Sequence, residues 1–142
     1  ALALNPKLVI LDEAVSALDV SVQASVLNLL MGLQSEYQLS YLFVSHDMAV
    51  VERVSHYIGV MYLGRIVEIG SRQTILNNPC HPYTKALLSA VPSTDPRKRK
   101  MDSEMRFRKI VSPIHPVGYK PPASEYKRLS KEHLVLKTDV GY

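Results

Sequence analysis

The sequence contains a single cysteine, Cys80, among its 142 residues. One thiol cannot build a disulfide framework within the chain or a metal cluster held by cysteines alone, and such sparing use fits a reducing cytoplasm. Long apolar runs are missing too. None approaches the roughly 20 residues a helix needs to cross a bilayer, and no secretory signal opens the chain. There is no initiator methionine, so the opening "ALALNPK" reads as the interior of a protein. No internal repeat is visible. What is present, 46% hydrophobic and 21% charged residues, suits a soluble globular domain long enough for one modest core.

Charge and proline are unevenly spread. Residues 1–70 carry three basic residues (Lys7, Arg53, Arg65) against seven acidic ones, a net of −4; residues 71–142 carry fourteen basic against six acidic, a net of +8. Eight of the nine prolines fall after residue 78. Two regions with different jobs are expected, 1–70 and 71–142.

"KLVIL" is a short apolar run rich in branched side chains, as in a parallel strand covered on both faces. Apolar residues then recur at helical spacing at Val22, Val26, Leu29, Leu30 and Leu33, with Asp19 or Ser21 placed to cap the start. "SYLFVS" reads as a second strand, which completes a βαβ unit. A short helix is expected from about Met48 to Val54, capped by Asp47. "YIGVMYLGRIVEIG" reads as a hairpin turning at Leu63-Gly64. "SRQTILNNP" and "HPYTKALLSAVP" read as helices, the second with Pro82 in its first turn, where a missing N–H costs nothing. Beyond Pro92 the chain turns basic and Pro-rich, with "HLVLK" (residues 133–137) a short candidate strand.

Parallel strands end on one edge of their sheet, and ligands of open α/β sheets bind along that edge. Asp12 and Glu13 end the first strand; Ser45, His46 and Asp47 end the second. A carboxylate pair and a histidine therefore share one rim. An ionised Asp can hold Mg²⁺, a neighbouring Glu can orient or deprotonate water, and a His can hydrogen-bond a phosphate whose charge needs stabilising. Taken singly, the same residues also suit capping or a solvated strand end. His56, His115 and His133 have no partner at metal-ligand spacing, and Cys80-His81 lacks a further cysteine to complete a zinc site. Tyr57, Tyr62 and Phe43 read as core. "RKRK" (residues 97–100) reads as solvated linker before nucleic-acid or lipid contact.

In order and spacing, "LVILDE" resembles the Walker B strand, "SALD" the D-loop and "VSHD" the switch region of an ABC-type ATPase. "ALALNPKLVILDE" resembles the stretch that follows the signature of that family. "VMYLGRIVEIG" followed by "NPCHPYTKALLSAVP", with its His81-Pro82-Tyr83 triplet, resembles the oligopeptide/dipeptide importer ATPases, and "SPIHPVGYKPP" and "KEHLVLK" resemble the end of their C-terminal extension. Many members carry a cysteine-containing segment there. This chain does not, so no iron–sulfur cluster is expected, and the likeness leans to importers of glutathione or dipeptides.

The resemblance implies an α/β fold: residues 1–70 as the C-terminal part of an ABC-type P-loop ATPase domain (parallel βαβ plus β-hairpin), and residues 71–142 as a helical, Pro-rich basic extension. It implies ATP and Mg²⁺ as ligands. Asp12 would hold the metal through water, Glu13 would polarise the attacking water, Ser16 and Asp19 would reach across a dimer interface, and His46 would contact the γ-phosphate. Ala14 stands where the family often has Pro, a change in turn rigidity rather than chemistry. The implied partners are a second ATPase subunit, membrane permease subunits and an extracytoplasmic solute-binding protein, with no nucleic acid; the implied place is the cytoplasmic face of the inner membrane. Alternatives are a non-transport ABC ATPase, or a basic interaction module for a partner, lipid or nucleic acid.

The six glycines include no G-x-x-x-x-G-K-[ST] loop to wrap phosphates with backbone N–H groups. The expectation is a chain that neither binds ATP tightly nor hydrolyses it alone, and that exposes apolar patches along its first strand and helix.

Overall fold

A computed structural model of the chain describes residues 2–91, 118 and 123–137. The "RKRK" run, His115, Pro92 and, save Gly118, the "SPIHPVGYKPP" stretch lie outside the described residues. Contacts divide the chain into two units, Ala1–Ser55 and His56–Tyr142.

In the first unit a 3₁₀ turn (Leu2–Leu4) precedes strand β1 (Leu8–Asp12), helix α1 (Val20–Tyr37), strand β2 (Ser40–Val44) and helix α2 (Met48–Val54). β1 and β2 pair in parallel, Leu8 opposite Ser40 through Asp12 opposite Val44. Both helices begin where an aspartate accepts orphan backbone N–H groups: Asp19 takes Ser21 and Val22, and Asp47 takes Ala49 and Val50. Of the two candidate caps for α1, Asp19 is the one used. α1 ends at Gln38 in the left-handed conformation.

The core here is Val15, Leu27 and Val50, with Val26, Phe43 and Val54 packed against it. Leu27 falls outside the helical spacing read from the sequence, and Val22 (43% exposed) and Leu29 (62%) from that spacing face solvent. The inward stripe of α1 is set by what α2 and β2 offer: Arg53 donates to Asn28 at 2.7 Å, and the Tyr41 hydroxyl donates to the Leu30 carbonyl at 2.9 Å. On that face Leu27 packs with Val15 and Val50. Nor is β1 covered on both faces. Leu8, Ile10, Leu42 and Val44, which share one face by the parallel register, are all exposed, as the expected apolar patch requires.

The second unit is a four-stranded antiparallel sheet of order β3-β4-β6-β5, from β3 (Tyr57–Tyr62), β4 (Arg65–Ser71), β5 (Tyr126–Ser130) and β6 (His133–Leu136), with helices α3 (Arg72–Asn77) and α4 (Pro82–Ser89) contacting β4. The β3–β4 hairpin turns at Leu63 (φ 47) and Gly64 (φ 76), a two-residue turn with both centres left-handed that matches the twist of the strands. The α/β architecture expected, a parallel βαβ followed by this hairpin and two helices, is the one observed. The sheet then goes further than the hairpin. β6 pairs with β4 at Glu68–Val135 and Ile69–Leu134, so the C-terminal strands close onto a strand of the 1–70 region. The division into 1–70 and 71–142 stays a proposal about modules. The compact units divide at Ser55–His56.

Ile58, Val60, Val67 and Ile75 form the apolar interior of this unit, each side chain contributing roughly 1.5–3 kcal/mol by burial. Gly70 is required by close approach. A Cβ there would meet Ile75 Cδ1 at 3.3 Å, and Glu132 O and His133 Cδ2 at 3.4 Å. Tyr62 stacks on Tyr83 with ring centroids 4.2 Å apart. Tyr57, read as core, is 57% exposed, because strand alternation sends it opposite to buried Ile58.

Candidate active site

The parallel register carries the ends of β1 and β2 to one rim. The ladder is extended once past the strand, where the Glu13 N–H donates to the Val44 carbonyl at 2.9 Å. Glu13 then leaves the strand at φ 45, a left-handed backbone that costs a side-chain-bearing residue about 1–2 kcal/mol. The turn is closed by Ser16, whose N–H and hydroxyl both donate to the Glu13 carbonyl, at 3.1 and 2.9 Å. Strain held by its surroundings at a carboxylate is common at functional sites.

This turn aims the Glu13 carboxylate at His46, whose Nδ1 lies 3.0 Å from Oε1. Both side chains are open to water, 52% exposed for Glu13 and 73% for His46. A carboxylate only accepts, so Nδ1 carries the hydrogen and Nε2 points away as the working nitrogen. The ring is thus oriented by Glu13 while its far side stays accessible. Asp12 is exposed at the strand end beside them, an oxygen donor of the kind Mg²⁺ takes.

The other two candidates, in the loop that follows β1, do local work. Ser16 is held in the turn. Asp19 caps α1, and the Val22 N–H, the Ser21 hydroxyl and the Ser21 N–H hold its carboxyl below the usual range. Of the five residues singled out from the sequence, then, the structure brings Glu13 and His46 into contact, leaves Asp12 exposed at the end of β1 next to Glu13, and engages Ser16 and Asp19 within the loop that follows. The residues fit a magnesium ion at Asp12. Nothing in the 142 residues supplies a phosphate-wrapping loop.

A second polar centre, which sequence reasoning missed, lies in the other unit. Glu68 is fully buried on β4. Its Oε1 accepts from the Cys80 N–H at 2.8 Å and meets His133 Nε2 at 2.8 Å; its Oε2 accepts from the His81 N–H at 3.0 Å. Burial opposes its ionisation, but the neighbouring Thr84 hydroxyl, the two N–H groups and the imidazole outweigh it and hold the carboxyl below its usual range. The Thr84 hydroxyl lies outside good hydrogen-bond geometry, so the N–H groups and the ring carry most of that effect. His81 caps α4 through Nδ1, which accepts from the Tyr83 N–H at 3.1 Å, and burial pushes its pKa down against the pull of Glu68. The His81-Pro82-Tyr83 triplet therefore has a physical job: cap, first-turn proline, and aromatic stacked on the hairpin, all hung on one buried carboxylate.

Residues 67–110, which hold this carboxylate and the triplet, match the family described as "Oligopeptide/dipeptide transporter, C-terminal region". That stretch is similar to the C-terminal region of oligopeptide/dipeptide transporters. Whole-chain comparison agrees. The chain is 53% identical over 135 residues to the glutathione import ATP-binding protein GsiA of Pectobacterium atrosepticum, covering 95% of this chain and 22% of that protein. It is 51% identical over 137 residues to GsiA of Salmonella typhimurium, covering 96% and 22%, and 48% identical over 142 residues to GsiA of Escherichia coli K12, covering 100% and 23%. The chain thus spans about a fifth of the length of the curated relatives it matches. Glu68 anchors the stretch matched to that family, and the similarity to the GsiA proteins extends over the Glu13–His46 rim as well.

Proposed function

We propose that this chain is the C-terminal part of an ATP-binding and hydrolysing subunit that powers import of peptide-like solutes, glutathione among them, through a membrane permease. The observation that carries the reading is the contact between Glu13 and His46 on the shared rim of two parallel strands. Asp12 would hold Mg²⁺ through water; the ion supplies charge neutralisation at the phosphate oxygens. Glu13 would accept a hydrogen bond from the attacking water and polarise it. His46 would donate from Nε2 to the γ-phosphate. Ser16 and Asp19 would face a second ATPase subunit, with the loop pre-shaped by the bonds described above.

The partners in this reading are that second subunit, permease subunits and an extracytoplasmic solute-binding protein, with the ATPase lying at the cytoplasmic face of the inner membrane. No described helix is long and apolar enough to cross a membrane. The test is Glu13→Gln in a full-length ATPase carrying this segment. Turnover is expected to fall by at least the 10²–10⁴-fold typical of losing a general base, with nucleotide affinity retained. Unchanged turnover removes Glu13 from the chemistry.

A further inference from the structure

The buried carboxylate of the second unit sits among donors that the proposed ATPase chemistry does not use. A Glu68 oxygen, the Cys80 sulfur and a His133 ring nitrogen all lie within 4.8 Å of one another. We propose that these three residues form a binding site for a divalent transition metal, with zinc the best match. One carboxylate oxygen, one imidazole nitrogen and one thiolate are the mixed donor set that zinc accepts, with water in a fourth place.

The geometry needs small movements only. In a tetrahedral site with bonds of about 2.0–2.3 Å, neighbouring ligand atoms stand well under 4.8 Å apart, so the sulfur must close in. Cys80 is exposed and its thiol donates only a long 3.6 Å contact to the Asn78 carbonyl, so its rotation sacrifices little. The His133–Glu68 contact, 2.8 Å across a shared proton, opens slightly as the metal replaces that proton. Binding is pure ligand exchange. The thiol releases its proton to solvent, the imidazole presents Nε2 to the metal with its ring hydrogen on Nδ1, the carboxylate binds as the anion it already is, and nothing is oxidised or reduced.

Orientation is already provided. The N–H groups of Cys80 and His81 hold the Glu68 carboxylate whether or not an ion is present, the kind of outer-shell support that metal sites depend on. Glu68 and His133 are buried while Cys80 faces solvent, so an ion enters from the cysteine side. The site joins β4, the turn before α4 and β6, so a bound ion would pin the C-terminal strands to the hairpin. It stands apart from the ATPase reading, since all three ligands belong to the second unit and none to the Glu13–His46 rim.

The experiment titrates the reduced chain with Co²⁺ alone, followed by visible and near-ultraviolet absorption. Expected are saturation at one equivalent, a thiolate-to-cobalt charge-transfer band with four-coordinate d–d bands, and loss of both on adding one equivalent of Zn²⁺. Cys80→Ser, which changes only an exposed side chain, should lose the charge-transfer band and weaken Zn²⁺ measured by competition with a chelating dye; His133→Gln should lose the four-coordinate spectrum. Absence of the band at stoichiometric Co²⁺ overturns the site. So does a four-coordinate spectrum that survives His133→Gln, or a Zn²⁺ affinity unchanged in folded Cys80→Ser, the variant that remains decisive if His133→Gln does not fold.

Discussion

The two units each contain a glutamate–histidine pair of nearly the same length, and the pairs live in opposite settings. Glu13 and His46 meet at 3.0 Å with side chains 52% and 73% exposed; Glu68 and His133 meet at 2.8 Å with 0% and 6% exposed. In water an exposed pair contributes roughly 0–1 kcal/mol, so the first pair is not there to hold the fold. Its carboxylate sits on a left-handed turn that spends stability to aim it. The second pair has the reverse character. Its carboxylate is wrapped by two backbone N–H groups and a ring, and those contacts draw together elements far apart in the chain. The same two residue types make an orienting pair where water can reach them and a clamp where it cannot.

The sharpest way to break that comparison is Glu68→Ala. It leaves the His133 ring and the N–H groups of Cys80 and His81 buried without their acceptor. Removing one partner of a buried pair costs about 3–5 kcal/mol, against a total stability of roughly 5–15 kcal/mol for a domain. The second unit is expected to lose most of its resistance to guanidinium, read by far-ultraviolet circular dichroism. A midpoint equal to the parent would mean that the clamp carries no weight. Glu68→Gln, which keeps one acceptor oxygen, should fall between the two.

Acid should act on the same unit more gently. Both Glu68 and His81 have folded-state pKa values below their ordinary ones of 4.5 and 6.5. A lowered folded value means that the folded state binds fewer protons than the unfolded chain, so stability rises with pH between the two. The His81 contribution is complete above 6.5 and is lost as pH falls below it through the depressed value. The Glu68 contribution is complete above 4.5 and is lost on further acidification. Unfolding midpoints measured from neutral pH downward should therefore be level near pH 7 and then decline in two stages. A midpoint that climbs on acidification contradicts both assignments.

What was legible in the sequence was what short-range chemistry decides. The "LVIL" and "SYLFV" runs, Asp47 before its helix, Pro82 after His81, and the Leu63-Gly64 turn each carry their own local signal, and each element formed where that signal lies. The meeting of Glu13 and His46 was legible too, because parallel strands joined by one helix must end together. Long-range partners were not. Glu68 lies 65 residues from His133, and nothing local tells a strand glutamate that a later strand will seal it. The irregularity between Val60 and Met61, where the β3–β4 register slips, turns Val67 and Glu68 inward together and so breaks the alternation that would have exposed the fault. Leu27 was missed for a related reason: several faces of α1 are apolar, and only the α2 and β2 contacts choose among them.

The smallest effect is also the most discriminating. Glu13→Gln is expected to shift the stability of the first unit by no more than about 0.5 kcal/mol, the usual range for surface changes. The ladder bond from the Glu13 N–H to Val44 and the Ser16 bonds to its carbonyl are main-chain features at residue 13, which an amide side chain leaves in place. An amide oxygen can still accept from His46, so the ring loses charge beside it before it loses orientation. The same substitution is expected to stop turnover in a full-length ATPase, and a residue that matters greatly to rate and hardly to folding is one whose carboxylate serves the reaction. A loss of more than about 1.5 kcal/mol would instead make the pair structural, erasing the contrast with Glu68–His133 and removing the main support for the rim as a hydrolytic site.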